Sequence, residues 1–278
     1  MAIHQPRFGF NCGMVKRRNQ PAALTIAGSD SGGEAGIQAD LKTFAALGVH
    51  GASVITCLTA QNARGIRAVQ PASPAMLRQQ IAAVCDALPL RAVKTGMLFS
   101  AANVRAVSAE LGRRKPTFLI VDPVLVSTRG VKLLRGDGLA ALQRELLPLA
   151  SLVTPNVREA EVLTGRELTS VEDLRSAARV IHSRFGCAAL VKGGHLPEMR
   201  EAVDIFWDGR EELLLSAPFV PGLKTHGTGC TYAAAITGYL ALGCELPYAV
   251  EMAKQYITRA IADSVRVGGR TVLNWLWD

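Results

Sequence analysis

A chain of 278 residues that is 49% hydrophobic can bury a sizeable core, and it is near the upper size for one domain. No apolar run approaches the roughly 20 residues of a membrane span, so a soluble protein without a membrane partner is expected. The net charge of +8 does not make a nucleic-acid surface: Arg7, Lys16, Arg17 and Arg18 supply four of those charges ahead of the first expected strand, the rest are scattered, and aromatics for base stacking are only 5%.

Residues 1–20 show no periodicity and lack the apolar core of a secretory signal. They are expected to form a disordered or mis-started basic tail, with 21–278 as a single domain. "AALTIA" (22–27) reads as a short strand, followed by the glycine-rich "GSDSGGEAG" (28–36). "IQADLKTFAALG" (37–48) places Ile37, Leu41 and Phe44 on one helical face and closes at Gly48. "ASVITCLTA" (52–60) is again strand-like, and Ser73-Pro74 starts a helix expected to run through Leu88. "AVKTGML" (92–98) is a strand end, and Ser100 opens a helix that stops near Gly112. The continuous apolar run "TFLIVDPVLV" (117–126) fits a strand buried on both faces. A helix to about Leu147, the strand "SLVTPN" (151–156) and a helix around 156–164 follow. Ser170 caps "VEDLRSAARVIHSRFG" (171–186), which leads into "AALVKGG" (188–194). "EAVDIFWDGREELLLS" (201–216) reads as a hairpin turning at Asp208-Gly209, before two closing helices near 229–242 and 247–266.

This alternation predicts an α/β fold with a largely parallel sheet covered on both faces. The six cysteines form no CxxC pair and no cysteine–histidine cluster, so structural zinc is not expected. Most lie in apolar runs, which suits reduced, buried thiols in a cytoplasmic protein.

Ligands of parallel sheets bind beyond the carboxyl ends of the strands, and the unusual residues gather at those junctions: "GSDSGGEAG", "VKTGM" (93–97), "VDPV" (121–124), "TPNVREAE" (154–161), "VKGGH" (191–195) and "KTHGTGCTYAAAITG" (224–238). No P-loop, dinucleotide fingerprint, H-E-x-x-H or G-x-S-x-G occurs. In the last junction, glycines 227 and 229 stand where a buried helix begins, so bare backbone N–H groups can hold an anion there. Cys230 falls in the first turn, where the helix dipole is expected to lower its pKa. Glycine loops, a lysine and carboxylates at strand ends suit phosphoryl transfer. Each residue also has a plainer reading. Asp122 before Pro123 fits a turn, Asn156 and Glu159 fit a capping box, Asp40 borders an apolar stripe, and Lys192 fits a solvated strand end. Their recurrence at successive strand ends favours a site.

Those motifs, in this order from about Ala23 to about Val265, resemble the hydroxymethylpyrimidine and phosphomethylpyrimidine kinases of thiamin biosynthesis, within the ribokinase-like superfamily. The resemblance implies a three-layer αβα sandwich with a mainly parallel sheet, often assembled as a homodimer. It implies ATP and Mg²⁺, leaves a monovalent cation open, and gives 4-amino-5-hydroxymethyl-2-methylpyrimidine as the substrate, phosphorylated first on its hydroxyl and then on the monophosphate. By match, Gly28, Ala35, Asp40, Gln61 and Met97 line the pyrimidine pocket with Val124 near it. Asn156 and Glu159 help hold the metal and the nucleotide phosphates, with Asp122 nearby. Lys192, Thr225 and His226 border the nucleotide, and Gly227, Thr228, Gly229 and Cys230 form the anion hole. A thiolate at Cys230 would accept the hydroxymethyl proton; the plainer alternative is that it only packs, and the anion hole supplies most of the rate.

The family's first loop usually reads GSDSGGGAG, whereas Glu34 stands here in place of the last glycine of the triplet. Were positive φ needed there, a side chain would cost on the order of 1–2 kcal/mol. A carboxylate there is also expected to oppose the second phosphorylation. A pyridoxal kinase of the same superfamily, and a non-catalytic nucleotide-binding protein on this fold, are the competing functions.

Overall fold

The computed structural model describes residues 20–62, 64–126, 132–194, 201–219 and 226–277. In chain order, β1 (Ala22–Asp30), α1 (Gly36–Ala46), β2 (His50–Asn62), β3 (Gly65–Pro71), α2 (Pro74–Ala87) and β4 (Leu90–Thr95) come first. They are followed by α3 (Ala101–Arg114), β5 (Phe118–Val121), a short α4 (Gly138–Ala141) continued by π and 3₁₀ turns to Leu149, and β6 (Leu152–Val153). Then come α5 (Val157–Thr164), α6 (Val171–Phe185), β7 (Ala188–Lys192), β8 (Glu201–Trp207), β9 (Glu212–Pro218), α7 (Thr228–Ala241), α8 (Leu246–Ala262), and the ribbon strands β10 (Val265–Val267) and β11 (Arg270–Val272).

Nine strands make one sheet in the order β3-β2-β1-β4-β5-β6-β7-β8-β9. The six from β2 to β7 run parallel, while β3 and the β8–β9 hairpin add antiparallel edges. Strand alternation sends successive side chains to opposite layers. Leu24, Ile26, Val93, Leu119 and Val153 pack with Leu77, Val104, Leu163 and Ile181 on the face of α2, α3, α5 and α6. Their neighbours Ala23, Ala92, Ile120, Leu152 and Leu190 pack with Phe44, Ile236 and Ile257 on the face of α1, α7 and α8. The αβα sandwich follows directly. Among the described residues no helix is long and apolar enough to cross a membrane.

The helix starts match expectation because their signals are local. Ser73, Ser100 and Ser170 each accept a backbone N–H from the first turn of α2, α3 and α6. Elsewhere the structure departs from the sequence reading. β5 ends at Val121 instead of running to 126, because Pro123 has no N–H for a ladder and Val124 takes φ +43°. α3 passes Gly112 and stops at Lys115, which is left-handed at φ +47°. β3 and the β10–β11 ribbon were not expected. β3 is a largely exposed edge with no clear alternation, and the ribbon turns on Gly268-Gly269, both at positive φ, a hairpin signal short enough to overlook. Most of the basic tail expected at 1–20 lies outside the described residues.

Candidate active site

The carboxyl ends of the parallel strands and the start of α7 converge. Gly227 caps α7 at φ +81°, and no side chain bonds into the cap. A Cβ on Gly227 would stand 1.7 Å from the Glu34 carbonyl oxygen, so two independent constraints demand glycine there. Thr228, Gly229 and Cys230 are the first three helical residues, and this start, which no side chain caps, carries the positive end of the dipole. Facing Gly229 are Lys192 Nζ, 3.3 Å from where its Cβ would be, and Asp122 Oδ2 at 4.0 Å.

Asp122 and Lys192 are ion-paired at 3.1 Å, with the Thr154 hydroxyl donating to the same Asp122 oxygen at 3.3 Å. The second oxygen, Oδ2, is the one turned to α7. Asn156 caps α5 in a reciprocal box: its side chain accepts from the Glu159 N–H, while Glu159 accepts from the Asn156 N–H, both at 3.0 Å. The other Glu159 oxygen accepts from the Leu125 N–H at 3.1 Å. Glu159 is therefore buried and clamps the 122–125 turn. Burial pushes its carboxyl up to about 7, and the Asp122 charge adds to that, against Lys192.

Towards the carboxyl end of β1, Gly28, Cys57 and Met97 crowd together. A Cβ on Gly28 would lie 2.9 Å from Cys57 Sγ and 3.5 Å from Met97 Sδ. Ala35 is buried beside α1, and the Thr56 hydroxyl fixes the Met97 carbonyl at 2.6 Å. Gln61 Nε2 and His226 Nε2 are 2.8 Å apart, an arrangement in which the amide donates and the imidazole accepts. Gln61, expected at the pyrimidine, and His226, expected at the nucleotide, are thus brought into direct contact. Val124, β-branched at φ +43°, is a strained residue just past the end of β5. Thr225, and His195 of the "VKGGH" junction, lie outside the described residues.

Two expectations are corrected, those for Cys230 and Glu34, and the setting of Asp40 is now defined. The Cys230 thiol is not acidified: burial pushes it up to about 11, since desolvation and the Asp122 and Asp40 charges outweigh Lys94 and the Gly36 N–H. Asp40 is fully buried; its Oδ2 accepts from Lys94 at 2.9 Å and from Thr25 at 2.6 Å, while Oδ1 is left without a hydrogen-bond partner. Glu34 needs no positive φ, because Gly33 (φ +76°) and Gly36 (φ +57°) take the left-handed positions.

The structure adds residues that sequence reasoning passed over. Lys94 is fully buried on β4, and a lysine inside the apolar run "AVKTGML" was the signal. Asp30 accepts from the N–H groups of Gly32, Glu34 and Ala35 at 2.8, 3.1 and 2.9 Å, so these amides of the first glycine loop are already satisfied by the chain itself. That leaves the start of α7 as the better-placed anion receptor.

Chemically, the arrangement brings a positive helix terminus, a lysine and a carboxylate oxygen around one point. Asp122 can supply one hard oxygen to a divalent cation whose other ligands are phosphate and water, which is how Mg²⁺ is commonly held. Among the described residues no cluster of three or more His, Cys, Asp or Glu forms an all-protein metal cage.

Comparison with known proteins identifies the family. The profile of the phosphomethylpyrimidine kinase family matches residues 30–274. The hydroxymethylpyrimidine/phosphomethylpyrimidine kinase of Rhizobium meliloti is 49% identical over 249 residues, covering 88% of this chain and 93% of that one. The thiamine biosynthesis bifunctional protein of Geobacter sulfurreducens is 47% identical over 240 residues, 86% of this chain but only 49% of that longer protein. Among solved structures, the phosphomethylpyrimidine kinase of Clostridium difficile 630 superposes with a TM-score of 0.79 at 42% identity, covering 87% of this chain and 100% of that one. An ADP complex of Bacillus subtilis pyridoxal kinase superposes with a TM-score of 0.84 at 35% identity, covering 92% and 97%. The chain is a kinase and belongs to the phosphomethylpyrimidine kinase family.

Proposed function

We propose that the chain phosphorylates 4-amino-5-hydroxymethyl-2-methylpyrimidine and then its monophosphate, with ATP as donor and Mg²⁺ as cofactor, for thiamin biosynthesis. The observation that carries this reading is the start of α7, without a side-chain cap, set against the Asp122–Lys192 pair. The pyrimidine lies near Gly28 and Met97, with Gln61 and His226 supplying polar edges and Met97 a soft wall. The acceptor oxygen forms a bond to the γ-phosphorus as the bond to the β-phosphate bridging oxygen breaks, releasing ADP. Lys192 and the amides of Gly227–Cys230 stabilise the charge on the transferring group. A bound Mg²⁺ would neutralise phosphate charge, held by Asp122 directly and steadied by the Glu159 clamp on the 122–125 turn. Asn156 and Lys192 border the nucleotide. Since such transfer is loose, the acceptor proton leaves late, to an oxygen of the transferred phosphate, and the protonated Cys230 positions the hydroxyl instead of removing its proton. A single catalytic domain over 21–278, a homodimer and a cytoplasmic site belong to the same reading.

Pyridoxal is the second substrate to weigh, because pyridoxal kinases are among the solved structures with this fold. Product analysis after incubation with Mg-ATP and, separately, the free pyrimidine, its monophosphate and pyridoxal decides between them. Turnover of both pyrimidines at higher kcat/KM than pyridoxal is expected. Preference for pyridoxal, or no transfer to any acceptor, overturns the proposal.

A further inference from the structure

Glu34 is an acidic residue whose backbone lies against an anion receptor: its carbonyl abuts Gly227 at the start of α7, and its carboxylate is 7% exposed. A nearly buried negative charge on a residue that touches this helix end opposes each further phosphate brought there. The structure supplies a counter-charge from far along the chain. Arg270, on the β10–β11 ribbon outside the main sheet, pairs with Glu34 at 2.9 Å.

The ribbon is held in place to do this. Just beyond it, the Trp275 ring carries Lys42 Nζ 4.3 Å from its centre, and Lys42 also donates to the Gly33 carbonyl at 2.7 Å. Trp275 Nε1 donates to the Thr231 hydroxyl on α7 at 3.0 Å, and its carbonyl accepts from Tyr256 at 2.9 Å. One C-terminal segment therefore touches both the glycine loop and the first turns of α7.

We propose that Arg270 is a specificity-determining residue: by neutralising Glu34 at the mouth of the anion receptor, it admits an acceptor that already carries a phosphate. A neutral alcohol acceptor does not depend on it. The inference rests on the two-step activity proposed above.

The test measures kcat/KM for the free pyrimidine and for its monophosphate in wild type, R270A, E34Q and E34Q/R270A. In R270A the monophosphate step should fall on the order of tenfold more than the alcohol step, mainly through KM, and the difference should shrink as salt is raised. E34Q/R270A should restore the wild-type ratio, because the charge needing cancellation is gone. E34Q alone should shift preference toward the monophosphate, so the idea stays testable if R270A fails to fold. Equal loss on both acceptors in R270A, an unrestored ratio in the double variant, or an unchanged ratio in E34Q would overturn it. Wild type that uses the alcohol but not its monophosphate would overturn it too. Wild type inactive on both acceptors would instead sink the proposed activity, and the two failures are distinguishable.

Discussion

Cys230 shows how burial can reverse a reading based on position alone. A thiol in the first turn of a helix is ordinarily acidified, yet here desolvation and two carboxylates hold it up to about 11. A group with its pKa above the assay range stays protonated throughout, so Cys230 contributes no ionisation between about pH 6 and 9. C230A should therefore keep the shape of the wild-type kcat profile over that range, with kcat lowered less than about a hundredfold, the lower bound of general-base contributions. A limb present in wild type and absent in C230A would restore the thiolate base. Lys94 makes a separate point. It and Asp40 are both fully buried, and the carboxylate holds the ammonium charged well above its ordinary pKa range. K94M leaves Asp40 buried without its cation, a change that costs about 3–5 kcal/mol. Chemical denaturation should show that loss, and D40N/K94M should recover part of it.

At the scale of elements, what could be read from the sequence was what neighbours in sequence decide. Ser73, Ser100, Asn156 and Ser170 cap helices through bonds spanning three residues, so the sequence displays both partners together. The Asp40–Lys94 pair, the Asp30 clamp and the Glu34–Arg270 bridge join residues brought together only by the fold or by loop closure, and no spacing rule announces them. The same contrast separates two caps chemically. S170A removes a cap on α6, far from the strand-end site, and N156A removes one on α5 whose partner Glu159 clamps the 122–125 turn. Each should cost about 1 kcal/mol and lower Tm by a few degrees. Only N156A should also raise KM for ATP. An equal change in KM for the two variants, or none in either, would mean that Asn156 caps and does nothing more.

The whole molecule explains why the fold was easier to foresee than the site. Hydrophobic alternation repeats along the chain, so the sandwich is specified many times over, whereas the site takes one or two residues from each of several strand ends and from α7. Such a site exists only when the sheet is assembled, and anything binding it should stabilise the assembled state by mass action. At a hundred times its Kd a ligand adds about 2.7 kcal/mol, readable as a rise in Tm. Inorganic phosphate without metal should raise Tm, because the start of α7 has no side-chain cap and faces Lys192. Mg-ATP should raise it further. D122N should keep the phosphate effect and lose the increment that depends on Mg²⁺, since Asp122 offers its second oxygen to the cation while Lys192 and the helix end serve the anion. G227A should lose both, because its Cβ would collide with the Glu34 carbonyl and displace the helix start. If D122N abolished the phosphate effect as well, the anion receptor and the metal position would be one unit, and the division of labour argued between α7 and β5 would fail.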